Sequence, residues 1–269
     1  MSSFLYWNAR QRVVAELAET ISTGYFKRAP IDPALIADEE GITYCCGYYQ
    51  NAFDGLLHYQ DGRFHIFLNL NRLEAYEKPR TRYTFGHELG HYFMDDHRYA
   101  LQNGKTPSHP SFNHLFQKNP VEQEADYFAS CLLMPSGLFR QQCYRLPLSE
   151  TLLVTLANHF QTSISSVIFR YFNLNQYPMA IIISKNGLIN RVMATIDFPF
   201  RKKPVKDSPV PPSTVAGEYF YQNKSYNSAE ILYADDWFSD DTASSQQIFE
   251  KCYYIKRNSI LSIIWKRNG

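Results

Sequence analysis

Apolar residues recur at three- and four-residue steps through residues 6–26, where Val13, Val14, Leu17, Ile21 and Tyr25 line one side of a helix. Pro30 and Pro33 interrupt the chain before a short helix over 34–40, which stops at Gly41. The pattern then changes. Residues 42–49 read as a strand with β-branched and aromatic content, and a hairpin follows, with runs at 56–59 and 64–70 around an Asp61-Gly62 turn. These three strands are expected to form one antiparallel sheet. A helix over 79–94 comes next, ended by Asp95, Asp96 and His97. Residues 101–120 are rich in Gly, Pro and Asn with weak periodicity, an irregular excursion. Helical periodicity resumes at 121 and continues after Pro135 through two or three amphipathic helices. The last pair, over 151–175, has a helix-turn-helix pattern: Leu156, Ala157 and Phe160 pack, Ser163 caps, and Val167, Ile168 and Tyr171 follow.

From 176 onward the periodicity is that of strands. Residues 179–184 and 188–193 flank an Asn186-Gly187 turn, and further strands are read at 230–233, 252–255 and 260–265. Residues 201–213 form a basic, proline-rich loop. The pattern predicts an α+β fold in two parts: a helical domain with a small antiparallel sheet over 1–175, and a β-rich domain over 176–269.

At 45% hydrophobic and 20% charged, the chain has the balance of a folded protein. A formal net charge of +1 excludes a whole-molecule field that attracts nucleic acid or anionic membrane, so any basic surface is local. The five cysteines (45, 46, 131, 143 and 252) are odd in number, include no CxxC pair, and are read as buried free thiols of a reducing compartment. The other reading puts one thiolate in an open metal position. The N-terminus lacks the long apolar run of a secretory signal, and no stretch is long and apolar enough to span a bilayer. A cytoplasmic protein with no membrane partner is expected.

The candidate chemistry lies in His87-Glu88-Leu89-Gly90-His91. Residues four apart share a helix face, so both imidazoles point the same way and offer a divalent metal two nitrogen ligands. Glu88 lies beside them as a candidate base, and a charged Glu in an apolar, aromatic helix is costly to bury without a partner. A third ligand is sought in the segment VEQEADYFASCLLMP. Glu122 and Asp126 share a face there, whereas Glu124 points elsewhere. One carboxylate can then reach the metal while the other accepts the free N–H of a ligating His. Two His, one carboxylate and a water position make the composition of a catalytic zinc site. Arg80 and Arg82 are read as solvated, as are His97, His109 and His114.

Taken together, RYTFGHELGHYFM and EQEADYFASCLLMP resemble the ImmA/IrrE family of zinc peptidases, with its pattern HELGH followed by ExEA(D/N)xFAxxLLMP. The resemblance covers roughly residues 5–175. It implies a zincin-like metallopeptidase domain that binds Zn2+ through His87, His91 and Glu122, with Glu88 as the catalytic base and Asp126 supporting a ligating His. Glu124 remains the alternative third ligand. It also implies a narrow protein substrate, a helix-turn-helix repressor encoded nearby, cut to release a stress or phage response. The β-rich domain would then be a sensor or docking module.

Two other readings stand beside this one. A non-proteolytic, zinc-containing transcriptional regulator acting by binding is opposed by the intact Glu88. A DNA-binding repressor using 151–174 is weakened because Arg170 is the one cation on the second helix placed to read bases. At the C-terminal domain, Arg201, Lys202, Lys203, Lys206, Lys256, Arg257, Lys266 and Arg267 are interleaved with Tyr253, Tyr254 and Trp265. That mixture is a candidate surface for single-stranded nucleic acid or a small-molecule trigger.

Overall fold

A computed structural model describes residues 2–105, 110–112, 119–255 and 258–266, with side chains from residue 9 onward. The chain divides into two compact units, Met1–Leu146 with Leu152–Arg170, and Pro147–Thr151 with Tyr171–Gly269.

The first unit begins with α1 (Ser2–Tyr25) and α2 (Pro33–Glu39), followed by β1 (Thr43–Gly47), β2 (Gly55–Gln60) and β3 (Arg63–Asn69). The short α3 (Leu70–Leu73) leads to α4 (Pro79–Phe93), α5 (Asp95–Gln102), α6 (Pro120–Leu133) and α7 (Ser136–Cys143), and α8 (Glu150–Phe160) and α9 (Ile164–Asn173) come last. Asp61 and Gly62 both take positive φ (50° and 79°), as a two-residue hairpin turn requires, and β2 pairs antiparallel with β3. The expectation of a wholly antiparallel sheet is corrected. Its order is β1-β3-β2, and β1 runs parallel to β3 from Thr43↔His65 to Gly47↔Asn69. The 48–54 connection reverses the chain across a gap one strand wide, into which β3 returns. Asn69 holds that connection by accepting from Tyr49 N and donating to the carbonyls of Gln50 and Phe53.

A second correction concerns the end of the central helix. Met94 takes extended geometry and breaks the helix, after which Asp95, Asp96 and His97 open α5. The two aspartates thus meet the positive end of a helix dipole. Gly90 lets α4 and α6 approach closely: a Cβ there would lie 3.1–3.2 Å from Phe128. Phe85, Leu89, Phe128, Ala129 and Leu132 are buried around this contact.

Helices α8 and α9 meet at 104°, within the range of a helix-turn-helix. Ser163 Oγ accepts from Ser166 N as the expected cap. Arg170, however, is fully buried, donating to Met134 O (2.8 Å), Cys131 Sγ (3.0 Å) and Glu19 Oε1 (2.7 Å). It serves packing, not base reading. Among the described residues, no single helix is long and apolar enough to cross a membrane.

The second unit carries β4 (Met179–Lys185), β5 (Leu188–Ala194), α10 (Val215–Gln222), β6 (Glu230–Tyr233), β7 (Gln247–Ile255) and β8 (Ser259–Lys266). The five strands form one antiparallel sheet in the order β5-β4-β8-β7-β6. Helix α10, which the pattern did not predict, is capped by Thr214 accepting from Gly217 N. The whole is an α+β fold. Trp265 is buried and stacks on Phe249, so it is not offered to a nucleobase, and the exposed Lys202 pairs with Asp241 at 2.8 Å. Lys256, Arg257 and Arg267 lie outside the described residues. Cys131, Cys143 and Cys252 are buried thiols as expected, but Cys45 is half-buried and Cys46 is exposed.

Candidate metal centre

Pro79 occupies the first turn of α4, where a missing N–H costs nothing, and Asn119 caps α6 by accepting from Val121 N. The two helices then hold the candidate residues on facing sides. His87, Glu88 and His91 on α4 and Glu122 on α6 are all buried.

The donor atoms converge. His87 Nε2 and His91 Nε2 are 3.1 Å apart, His87 Nε2 is 3.3 Å from Glu122 Oε2, and His91 Nε2 is 3.4 Å from Glu122 Oε1. Zinc bonds of about 2.0–2.1 Å in a tetrahedron give ligand-to-ligand edges of roughly 3.3 Å. The three residues therefore fit zinc by donor chemistry and by spacing. Among the described residues, no cysteine joins a cluster able to hold a metal.

Each imidazole is held at its other nitrogen. His87 Nδ1 meets Asp126 Oδ1 at 2.9 Å, and the carbonyl of Asp126 accepts from Tyr83 Oη. His91 Nδ1 meets His97 Nδ1 at 3.1 Å. Burial pulls the His87 ring down, but hydrogen bonds to Asp126 and Glu122 outweigh it and hold its pKa well above the ordinary value. For His91 burial wins, lowering its pKa to about 3. Glu122 is held below the usual carboxylate range: its bonds to the two rings overcome the opposing effect of burial.

Glu88 lies against Gly55 at the start of β2, with His87 and Glu122 near enough to act on its charge. Its carboxyl is pushed up to about 7 by burial, with His87, the Ser111 hydroxyl and the Leu57 backbone pulling the other way. Neither oxygen has a hydrogen bond of full geometry. Gly55 makes room for it: a Cβ there would lie 2.5 Å from Glu88 Oε1 and from Thr84 Cγ2. Ser111 stands next to this position because it bridges Gly55 as an isolated β-pair.

The structure thus brings His87, His91 and Glu122 together, with Glu88 and Asp126 beside them. Glu124 lies apart from the three donors, accepting from Arg10 Nε (2.9 Å) and meeting His97 Nε2 at 3.3 Å. Two expectations are corrected here. His97 is buried, not solvated, with its pKa lowered first by burial. Arg80 pairs with Asp54 at 2.9 Å and Arg82 donates to Ile31 O, so neither is merely solvated. Asp54 is itself fully buried and also takes Arg72 at 2.5 Å, which ties α4 to the start of β2. No local signal marks Asp54, whose partners Arg72 and Arg80 are 18 and 26 positions away, or the contact of His97 with Glu124. His109 and His114 lie outside the described residues.

Comparison with known proteins agrees with this geometry. The family model described as the IrrE N-terminal-like domain, of the M78 peptidases, matches residues 51–172. No curated protein matches the chain. Among solved structures, a Mycobacterium tuberculosis transcriptional regulator shares the fold at a TM-score of 0.61 and 13% identity, over 94% of this chain and 76% of that one. Residues 51–172 match an IrrE N-terminal-like domain, and that match supports the resemblance of this chain to the ImmA/IrrE family.

Proposed function

We propose that the chain is a zinc-dependent endopeptidase that cleaves one partner regulator, a helix-turn-helix repressor, and so derepresses a stress- or phage-response operon. The observation that carries this reading is the convergence of His87 Nε2, His91 Nε2 and Glu122 at tetrahedral spacing beside the buried Glu88. In this reading His87, His91 and Glu122 hold the ion and leave a fourth position to water. Zinc bound there supplies an acidified water and a Lewis acid for the scissile carbonyl. Glu88 takes a proton from the attacking water on a carboxylate oxygen and returns it to the departing amine. Burial raises the pKa of Glu88 and so strengthens it as the base for the first half of that transfer. Asp126 keeps the His87 proton on Nδ1, so that Nε2 presents its lone pair. The β-rich unit senses the trigger or docks the substrate.

Co-expression with the regulator encoded beside it tests the reading, comparing wild type with Glu88→Ala and Glu122→Gln. Cleavage lost in Glu88→Ala with zinc retained supports the peptidase and its base. Zinc lost in Glu122→Gln supports the third ligand. A wild-type chain that holds zinc and leaves the partner intact under DNA damage favours the non-proteolytic regulator acting by binding.

A further inference from the structure

Beside the candidate metal centre lies a second polar cluster, Asp96, His97 and Glu124, whose ligand atoms also lie within 4.8 Å of one another. It has the composition of a metal site, but the chain supplies its own cation. The Arg10 guanidinium reaches Glu124 Oε2 through both Nε (2.9 Å) and Nη2 (2.7 Å), and Nη2 also reaches Asp96 at 2.7 Å. A second ion would have to displace it. The cluster therefore invites another question: what does it do for His91, which it touches?

We propose that His97 is a positioning residue for the metal centre, fixing the tautomer and ring orientation of His91, and that Glu124 and Arg10 hold it in that role. The inference rests on the zinc reading above. The polarity follows from the hydrogen bonds of Arg10 and of the two imidazoles, with the ion-pair contact of Glu124 and His97 between them. Arginine has donors and no acceptor, so the Arg10 end of the chain can only give protons. Glu124 accepts them as a carboxylate and has no proton to return. The contact between Glu124 Oε2 and His97 Nε2, at 3.3 Å, therefore needs the His97 proton on Nε2. In the neutral ring His97 Nδ1 is then a bare lone pair, 3.1 Å from His91 Nδ1. His91 must donate there, which strips its Nε2 of a proton and leaves that lone pair facing His87 Nε2 and Glu122. Every member has one role that satisfies all the others, and the polarity is imposed from the first helix.

The two ligating rings are thus supported by different means. His87 leans on a single carboxylate, Asp126. His91 leans on a neutral imidazole backed by a carboxylate and a guanidinium. Arg10 lies outside the matched residues 51–172, so the support of His91 draws on a part of the chain that the family match does not cover.

The test uses the purified full chain and zinc alone, with affinity read by competition against a chelator. His97→Phe keeps bulk but removes both nitrogens and is expected to weaken zinc binding about ten- to a hundredfold. His97→Gln keeps one acceptor and one donor and should recover most of that loss. Arg10→Met should fall between them, because Glu124 loses its anchor. Metal-free melting temperatures of the folded variants should stay close to wild type, which a merely structural role would not allow. His97→Phe binding zinc as tightly as wild type, or His97→Gln as weak as His97→Phe, overturns the inference. If His97→Phe does not fold, Arg10→Met decides, and unchanged affinity there overturns it. A wild type that binds no zinc sinks the zinc reading and this inference together. A wild type that binds zinc, weakens with His97→Phe and cleaves nothing supports the inference while the peptidase reading fails.

Discussion

Among the buried glutamates of the described residues, Glu88 in the first unit and Glu250 in the second are the most deeply buried, and their surroundings could hardly differ more. Glu250, on β7, is fully buried, yet both of its oxygens are engaged. Oε2 accepts from Val215 N and Trp237 Nε1, each at 2.9 Å, and Oε1 from Ser262 Oγ (2.8 Å) and Ala216 N (3.3 Å). Val215 and Ala216 open α10, so the carboxylate also meets the positive end of a helix dipole. Glu88 is buried as deeply, but neither oxygen has a full hydrogen bond. Burial raises the pKa of both groups. A raised pKa is therefore no mark of function by itself; what separates the two is satisfaction. A carboxylate surrounded by donors is a structural tie, and one left short of them beside three candidate metal ligands is a candidate for chemistry.

The contrast can be broken by mutation, and the sharpest break is at Glu88. Glu88→Gln keeps the shape, so zinc content and melting temperature should hold while cleavage of the partner falls by about 10²–10⁴-fold. A stability loss with activity intact would reverse the roles assigned to the two glutamates.

Glu250→Ala should do the opposite. It strands Trp237 Nε1, Ser262 Oγ and two backbone N–H groups, at about 1–3 kcal/mol each, and denaturant unfolding should show a loss of several kcal/mol. The sign of the pH effect follows from the direction of the shift. The unfolded carboxyl loses its proton near pH ~4.3, before the folded one does, so this group's contribution to stability falls as pH rises from there to its raised folded value. Melting temperature followed from pH 4.5 upward should decline more steeply in wild type than in Glu250→Gln. Equal slopes would remove Glu250 from the account.

A smaller effect is expected at Gly55. Gly55→Ala places a methyl 2.5 Å from Glu88 Oε1 and so should displace the carboxylate. Turnover is expected to fall about 10- to 100-fold with zinc retained, read as kcat at saturating partner. Smallest of all is Lys202→Ala, which removes a solvent-exposed pair with Asp241 and should leave the melting temperature unchanged.

Much of the architecture was legible in local pattern. The helix periodicity of α4 put His87 and His91 on one face, the Asp61-Gly62 and Asn186-Gly187 pairs marked both hairpins, and the spacing of 151–175 showed two helices with a sharp bend. These features depend on residues a few positions apart, which is the range over which backbone geometry is set by sequence. The parallel pairing of β1 escaped that reading because strand order is decided by which edge a returning strand finds, and no dipeptide encodes it. Helix α10 escaped as well, since its N-terminus is stabilised by Glu250, which is 35 residues away.

The same division holds at the candidate site. Sequence by itself determined that two imidazoles and a glutamate share one helix and that an acidic helix follows. Only tertiary structure decided that Glu122 comes to the ring nitrogens while Glu124 turns to Arg10 and His97, that Gly55 leaves space for Glu88, and that Arg170 is spent on packing. The physical reason is that donor distances of about 3 Å are set by how α1, α4, α6 and β2 pack against one another. That packing rests on contacts between residues far apart in the chain, such as Arg10 and Glu124, 114 positions apart.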